Sequence, residues 1–231
     1  MPKINYNAYV KDLERCFTSI PRLMTEDLVR HIFIKAHNPN CEIEVPYIRT
    51  KSPSTPLKIN SRYFTYFQNS LSRADLYYEK GIAEITNDGN DAVIEFKFHR
   101  CTKYSQNCTT SKIGSVFADL NRLSTLTNDT KYLIYVFDDN MFNYFKKCSK
   151  TAPDPRFYFD VNSLSVGKSY AIAPSVATAS GFSGSEFKKN ALRGFDSAVV
   201  KDMTAFCYSI ELEYCAKIPN VDYYLVAYKV N

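Results

Sequence analysis

Ala92-Val93-Ile94-Glu95-Phe96-Lys97-Phe98 is the stretch on which the reading of this chain turns. Its apolar residues alternate in the manner of a strand, whose successive side chains point to opposite faces. Val93, Glu95 and Lys97 then share one face, and Ala92, Ile94, Phe96 and Phe98 share the other. One face is wholly apolar; the second carries two charges in an otherwise apolar segment. Charges placed there need partners or a metal ion to offset the water they lose. Just upstream, Asn87-Asp88-Gly89-Asn90 predicts a hairpin turn, because Asp-Gly tolerates the positive φ angles of primed turns. Before it, Arg73–Glu79 reads as a strand, Gly81 permits a bend, and Ile82–Thr86 continues extended.

Downstream, Ile113, Val116, Phe117, Leu120 and Leu123 recur at helical spacing and predict a helix from about Ser111 to Leu126. Lys131–Phe137 is almost wholly apolar, as expected of a central strand buried on both faces. Strand, helix and buried strand together predict a right-handed parallel crossover.

Nearer the start, Asn7 is expected to cap a helix with Val10, Leu13 and Phe17 on one face, ending before Pro21. Thr25 is expected to cap a second helix with Leu28, Val29, Ile32 and Phe33 inward. Glu26 and Asp27 fall in its first turn, where the helix dipole favours acids. Glu42–Tyr47 reads as a short strand, Ser52–Pro56 as a loop, and Tyr63–Phe67 as strand or helix. Towards the end, Asn140–Lys147 reads as a helix, as does Ser183–Leu192, a basic one carrying Lys188 and Lys189, with Arg193 just beyond. Phe157–Val161, Ser169–Ile172, Phe206–Glu213 and Tyr223–Val230 read as strands. No linker, repeat or low-complexity tract interrupts the chain, so residues 1–231 are expected to form a single α/β domain. Its mixed central sheet would be flanked by helices, with a C-terminal α+β extension over about 151–231.

Composition narrows the function classes. The chain has 231 residues, 45% hydrophobic and 23% charged, an ordinary globular balance. Its formal net charge of +5 is compatible with a polyanionic partner. Its 18 Tyr and 16 Phe favour strands, and exposed Tyr can also stack on bases. Seven scattered cysteines without a CxxC, and only three histidines (His31, His37, His99), leave zinc-ligand spacing absent. Reduced thiols in a cytoplasmic protein are the expectation. Met1–Asn7 leads into a mixed polar helix, so no signal peptide is expected, and no apolar run reaches the ~18 residues a membrane span requires. The dispersed glycines form no GxxxxGK, which leaves an ATP-driven function without support. No nucleophile context surrounds the histidines, so Ser–His–Asp catalysis has none either.

Hard divalent cations take rigidly held oxygen ligands. Asp75 lies in one predicted strand and Glu95 in a strand soon after, and both can project toward one sheet edge. Two carboxylates meeting there repel unless a cation neutralises them. Lys97 shares Glu95's face, where it can position or deprotonate an attacking water or stabilise charge on a phosphate.

Arg73-Ala74-Asp75-Leu76 followed by Ile94-Glu95-Phe96-Lys97 resembles the PD-(D/E)xK nuclease superfamily, which includes many type II restriction endonucleases and repair or recombination nucleases. The resemblance covers roughly Thr25 to Phe137 and extends to the order of elements, an α-β-β-β-α-β core. Ala74 stands where the pattern has proline, a position without chemistry. The resemblance implies a restriction-endonuclease-like fold and a catalytic trio of Asp75, Glu95 and Lys97. Asp75 and Glu95 would bind Mg²⁺, for which Mn²⁺ can substitute. It implies DNA as partner, hydrolysis of phosphodiester bonds, and a homodimer if both strands are cut. A restriction-type endonuclease is the first expectation. A structure-recognising repair nuclease and a non-catalytic DNA-binding protein on the same fold remain open beside it.

Such nucleases often add an acid from the N-terminal helix; Glu26 is the candidate, with Glu14 and Asp27 competing. Asp119 and Arg122, at i and i+3, are candidates for a supporting role or a simple helix pair. Arg100, Lys103 and Lys112 beside His99, with Lys188 and Lys189, are candidates for phosphate contacts or for a solvated surface. Glu95 and Lys97 themselves have a plainer alternative, a surface ion-pair ladder of little energetic weight.

Overall fold

A computed structural model describes residues 4–37, 41–48, 71–78, 91–100, 109–147, 153–173, 186–192 and 207–231. The expected turn at 87–90, the segments 52–56, 63–67 and 81–86, and Lys103 and Arg193 lie outside them.

Two helices open the chain, α1 (Tyr6–Ser19) and α2 (Glu26–Ala36), joined by a 3-10 turn at Pro21–Leu23. The cap of α1 is Asn5 and not Asn7: Asn5 Oδ1 accepts from the Ala8 amide at 3.1 Å. The buried stripe of α1 begins at Tyr6 and runs through Tyr9, Val10, Leu13 and Phe17, so the helix must start ahead of position 7. Thr25 caps α2 by accepting from the Leu28 amide, as expected.

Three antiparallel strands follow, β1 (Glu42–Ile48), β2 (Leu71–Tyr78) and β3 (Ala92–His99). Next come α3 (Thr109–Ser124) and β4 (Thr130–Asp138), which runs parallel to β3. A short helix, α4 (Asp139–Phe145), leaves the end of β4. Phe157–Phe159 is a 3-10 turn, where Phe157–Val161 reads as a strand from composition alone. Asp154 explains the difference: it accepts from the Arg156 amide through its side chain and from the Phe157 amide through its carbonyl, which winds the backbone. The rest comprises β5 (Ser169–Ile172), α5 (Glu186–Ala191), β6 (Tyr208–Lys217) and β7 (Tyr223–Val230).

Among the described residues, seven strands form one mixed sheet in the order β1-β2-β3-β4-β7-β6-β5. The described strands after residue 151 are thus part of the same sheet as β1 to β4. β7 lies against β4 and carries the sheet on to β6 and β5.

Helices cover both faces, and the alternation expected of β3 decides which residue goes where. Ala92, Ile94 and Phe96 join Tyr132, Ile134 and Val136 of β4 in the core beneath α1 and α2. Val93 joins Leu133, Tyr135 and Phe137 in the core beneath α3, α4 and α5. β4 is buried on both sides, as its apolar run predicts. No helix among the described residues is long and apolar enough to cross a membrane.

α3 and α5 meet at a glycine. A Cβ on Gly114 would lie 2.7 Å from the Phe187 carbonyl oxygen and 2.8 Å from Asn190 Cβ. Two further bonds fix the same contact: Asn121 Nδ2 donates to the Ala191 carbonyl, and Tyr208 donates to Asn121 Oδ1. Gly114→Ala is expected to lower stability by about 1–3 kcal/mol through overpacking, against alanine's helix propensity advantage of about 1 kcal/mol. Urea titration would show this as a lower midpoint at an unchanged slope.

Candidate active site

β2 stays paired with β1 from Tyr77 to Leu71, but its pairing with β3 runs only from Tyr78↔Ala92 to Leu76↔Ile94. Past that point the two strands part, and the β3 amides that would have faced β2 need other acceptors. Two carboxylates supply them. Asp75 Oδ2 accepts from the Phe96 amide at 2.6 Å, and Glu26 Oε2, reaching across from α2, accepts from the Phe98 amide at 3.1 Å. The parting of β2 and β3 thus draws together two acids that stand 49 positions apart in sequence, as 75 − 26.

Glu95 and Lys97 lie on the β3 face that looks toward α3. Lys97 Nζ is 2.9 Å from Asp119 Oδ2 on α3 and 3.6 Å from Glu26 Oε1. Asp119 is buried and also pairs with Arg122, one turn along α3. Asp75 has its own cation, since Arg30 Nη1 of α2 lies 3.0 Å from Asp75 Oδ1. Sequence reasoning missed Arg30. It lies 45 residues from its partner, and on its own helix it reads only as the i+3 mate of Asp27.

Unlike Asp75, Glu26 and Asp119, Glu95 makes no ion pair among the described residues. It is 3% exposed, and its Oε1 is buried without a hydrogen-bond partner among the described residues. Burial pushes its carboxyl up to about 8. Asp75 and, more weakly, Glu26 push the same way, while Arg122 and Lys97 oppose them. Glu26 is also raised, first by burial and then by Asp75, against Lys97 and the Phe98 amide. A neutral Glu95 gives a measurable signature. The folded protein holds a proton that the unfolded chain releases near pH 4.3. The stabilisation from it is fully present below that pH and is lost as pH climbs through 8. Without divalent metal, stability is expected to fall between pH 5 and pH 8.5 by on the order of 2–4 kcal/mol. Urea unfolding in EDTA at the two pH values measures it, and Glu95→Gln should flatten the dependence.

Other candidates fall nearby or elsewhere. His99, two residues past Lys97, shares a hydrogen bond with the Tyr135 hydroxyl at 2.8 Å. Burial, then Lys112 and Lys97, push it down to about 3, so it is neutral. Arg100 donates to the Pro21 carbonyl, and Lys112 to the Arg100 carbonyl, at the same end of β3. Lys188 and Lys189 lie on α5, where Lys189 pairs with Glu186 at 3.6 Å on the surface.

Among the described residues no three His, Cys, Asp or Glu side chains are grouped as metal ligands. A cation here would take two side-chain ligands, Asp75 and Glu95, and complete its shell with backbone carbonyls, water or phosphate oxygens. Two features suit a hard cation. The donor set is all oxygen, and Glu95 keeps one buried oxygen without a hydrogen-bond partner among the described residues.

No known family's sequence profile matches the chain, and neither does any curated protein. A solved structure described as "Crystal structure of SSO0001" aligns over 56% of this chain and 62% of its own, with 17% identity and a TM-score of 0.22. So slight a likeness carries no argument about fold or function.

Proposed function

We propose that this protein is a metal-dependent endonuclease that hydrolyses DNA phosphodiester bonds on a restriction-endonuclease-like core, its first reading being a type II restriction-type enzyme. The order α2-β1-β2-β3-α3-β4, with β1 to β3 antiparallel and β4 parallel to β3, supports that core. Most contacts of the site also describe a purely structural arrangement: Asp75 and Glu26 cap strand amides, and Lys97, Asp119 and Arg122 neutralise one another. Glu95 is what such an arrangement leaves unexplained. A buried carboxyl held neutral beside Asp75, with an oxygen left over, is costly unless something exploits it.

Asp75 and Glu95 would hold Mg²⁺, which supplies charge neutralisation on the phosphate and an activated water. Lys97, held by Asp119 and Glu26, donates toward the attacking water or a phosphate oxygen. Arg100, just past β3, and Lys112, in the first turn of α3, would contact the neighbouring phosphates. One site per chain cuts one strand, so double-strand cleavage calls for two copies.

Incubation with plasmid and with single-stranded DNA, each in Mg²⁺ and in EDTA, tests the reading. Cleavage confined to the Mg²⁺ arms is expected. Binding without cutting in Mg²⁺ and in Mn²⁺ would leave a DNA-binding protein without catalysis. Preference for branched or single-stranded substrates would move the assignment to a repair or recombination nuclease.

A further inference from the structure

We infer that Arg30 is a resident counter-cation of Asp75, displaced by the divalent ion and turned over to the DNA phosphate once the ion is bound. The inference rests on the nuclease reading and concerns how its metal site is loaded.

Asp75 has two carboxylate oxygens, and each is engaged differently. Oδ2 is fixed by the Phe96 amide, a strand-edge contact that orients the side chain. Oδ1 faces Arg30 Nη1 at 3.0 Å, and this is the oxygen a metal would compete for. A guanidinium and a divalent cation cannot share one carboxylate oxygen without strong mutual repulsion at so short a range. Arg30 also has somewhere to go. Its other terminal nitrogen, Nη2, lies 2.7 Å from Asp27 Oδ1, one turn back along α2. The two carboxylates differ in setting: the side chain of Asp75 is 15% exposed and that of Asp27 is 83% exposed. Arg30 therefore bridges a sheltered acid, Asp75, and a solvated one, Asp27.

Two functions follow from this placement. In the metal-free protein Arg30 stands in for the ion and holds Asp75 in place. With metal bound, Arg30 leaves Oδ1 while still tethered by Asp27, and a planar guanidinium beside the ion offers paired N–H donors to a phosphate. Metal and DNA binding become mutually reinforcing, since each favours the displaced position of Arg30.

The test is Mn²⁺ titration by calorimetry on the metal-free protein, without DNA, for wild type, Arg30→Met and Asp27→Asn. The expected signs are opposite. Arg30→Met removes the competitor and should bind Mn²⁺ about tenfold tighter; Asp27→Asn removes the solvated carboxylate that draws Arg30 away from Asp75 and should bind a few-fold more weakly. A second measurement follows binding of a short DNA duplex in Ca²⁺. Wild type should tighten on adding Ca²⁺, and Arg30→Met should lose most of that gain. If Arg30 merely anchors Asp75, Arg30→Met weakens or leaves unchanged the Mn²⁺ affinity, and the inference is overturned. Asp27→Asn, altering a solvated surface residue, keeps the test decisive if Arg30→Met fails to fold. Wild-type protein that neither binds Mn²⁺ nor cuts DNA overturns the nuclease reading as well. Binding and cutting with both variants unaffected overturns the exchange alone.

Discussion

Glu95→Gln is expected to reduce Mg²⁺-dependent cleavage by about 10³-fold or more and to leave the fold intact near neutral pH. Glutamine copies the shape of the neutral carboxyl that burial already enforces, with Glu95 pushed up to about 8. What it cannot copy is the carboxylate that forms when a cation arrives, since an amide carries no charge to give the metal. A metal ligand and a structural acid therefore separate cleanly in this variant. A metal ligand loses the reaction and keeps the midpoint of unfolding, while a structural ion pair loses stability and has no reaction to lose. Rates from plasmid relaxation, set beside urea midpoints at pH 7, make the comparison. Retention of more than a tenth of the wild-type rate would show that the site is wrongly assigned.

Asp119→Ala carries the second large effect, on stability first. The Asp119 side chain is 2% exposed and lies between the Lys97 ammonium and the Arg122 guanidinium. Its removal deprives the Lys97 ammonium and the Arg122 guanidinium, side chains 18% and 20% exposed, of the buried acid they share. Breaking a buried pair from one side costs roughly 3–5 kcal/mol, because the charge left behind has no water to replace its partner. Asp119→Asn keeps an acceptor and should recover part of that loss. The rate should fall as well, by about 10- to 100-fold in the asparagine variant, since Lys97 would retain only Glu26, at 3.6 Å. A large stability loss with an unchanged rate in Asp119→Asn would confine Asp119 to a structural role.

The frame of the site was legible in the sequence because strand alternation is a local rule. Glu95 and Lys97 had to share a face, and they do, with Val93 buried in one core and Ile94 and Phe96 in the other. The apolar run 131–137 likewise announced a strand covered on both sides. The anchors were not legible, for the opposite reason. Glu26 accepts from the Phe98 amide across 72 residues and Arg30 meets Asp75 across 45, distances at which no periodicity operates. Both contacts depend on where β2 leaves β3, which is a matter of register. The start of α1 was legible but misread: Tyr6 already belongs to the apolar stripe, which requires the capping residue to be Asn5. At Phe157–Phe159, aromatic composition suggested a strand, while Asp154 three positions before it carried the turn signal.

The position of β7 sets a timetable for the molecule. β7 comes last of the seven strands in chain order, yet it lies beside the central strand β4 and joins it to β6. During synthesis, β3 and β4 emerge from the ribosome with one long flank of β4 unpartnered, an open edge of the kind that invites wrong pairing. Only when residues 223–230 arrive can that edge close. The pairing of β4 with β7 also spans the 84 residues from 139 to 222 (222 − 138), whose closure entropy slows the step. Completion of the described sheet therefore waits on β7, and β4, the strand on which Glu95 and Lys97 of β3 lean, gains its second neighbour only then.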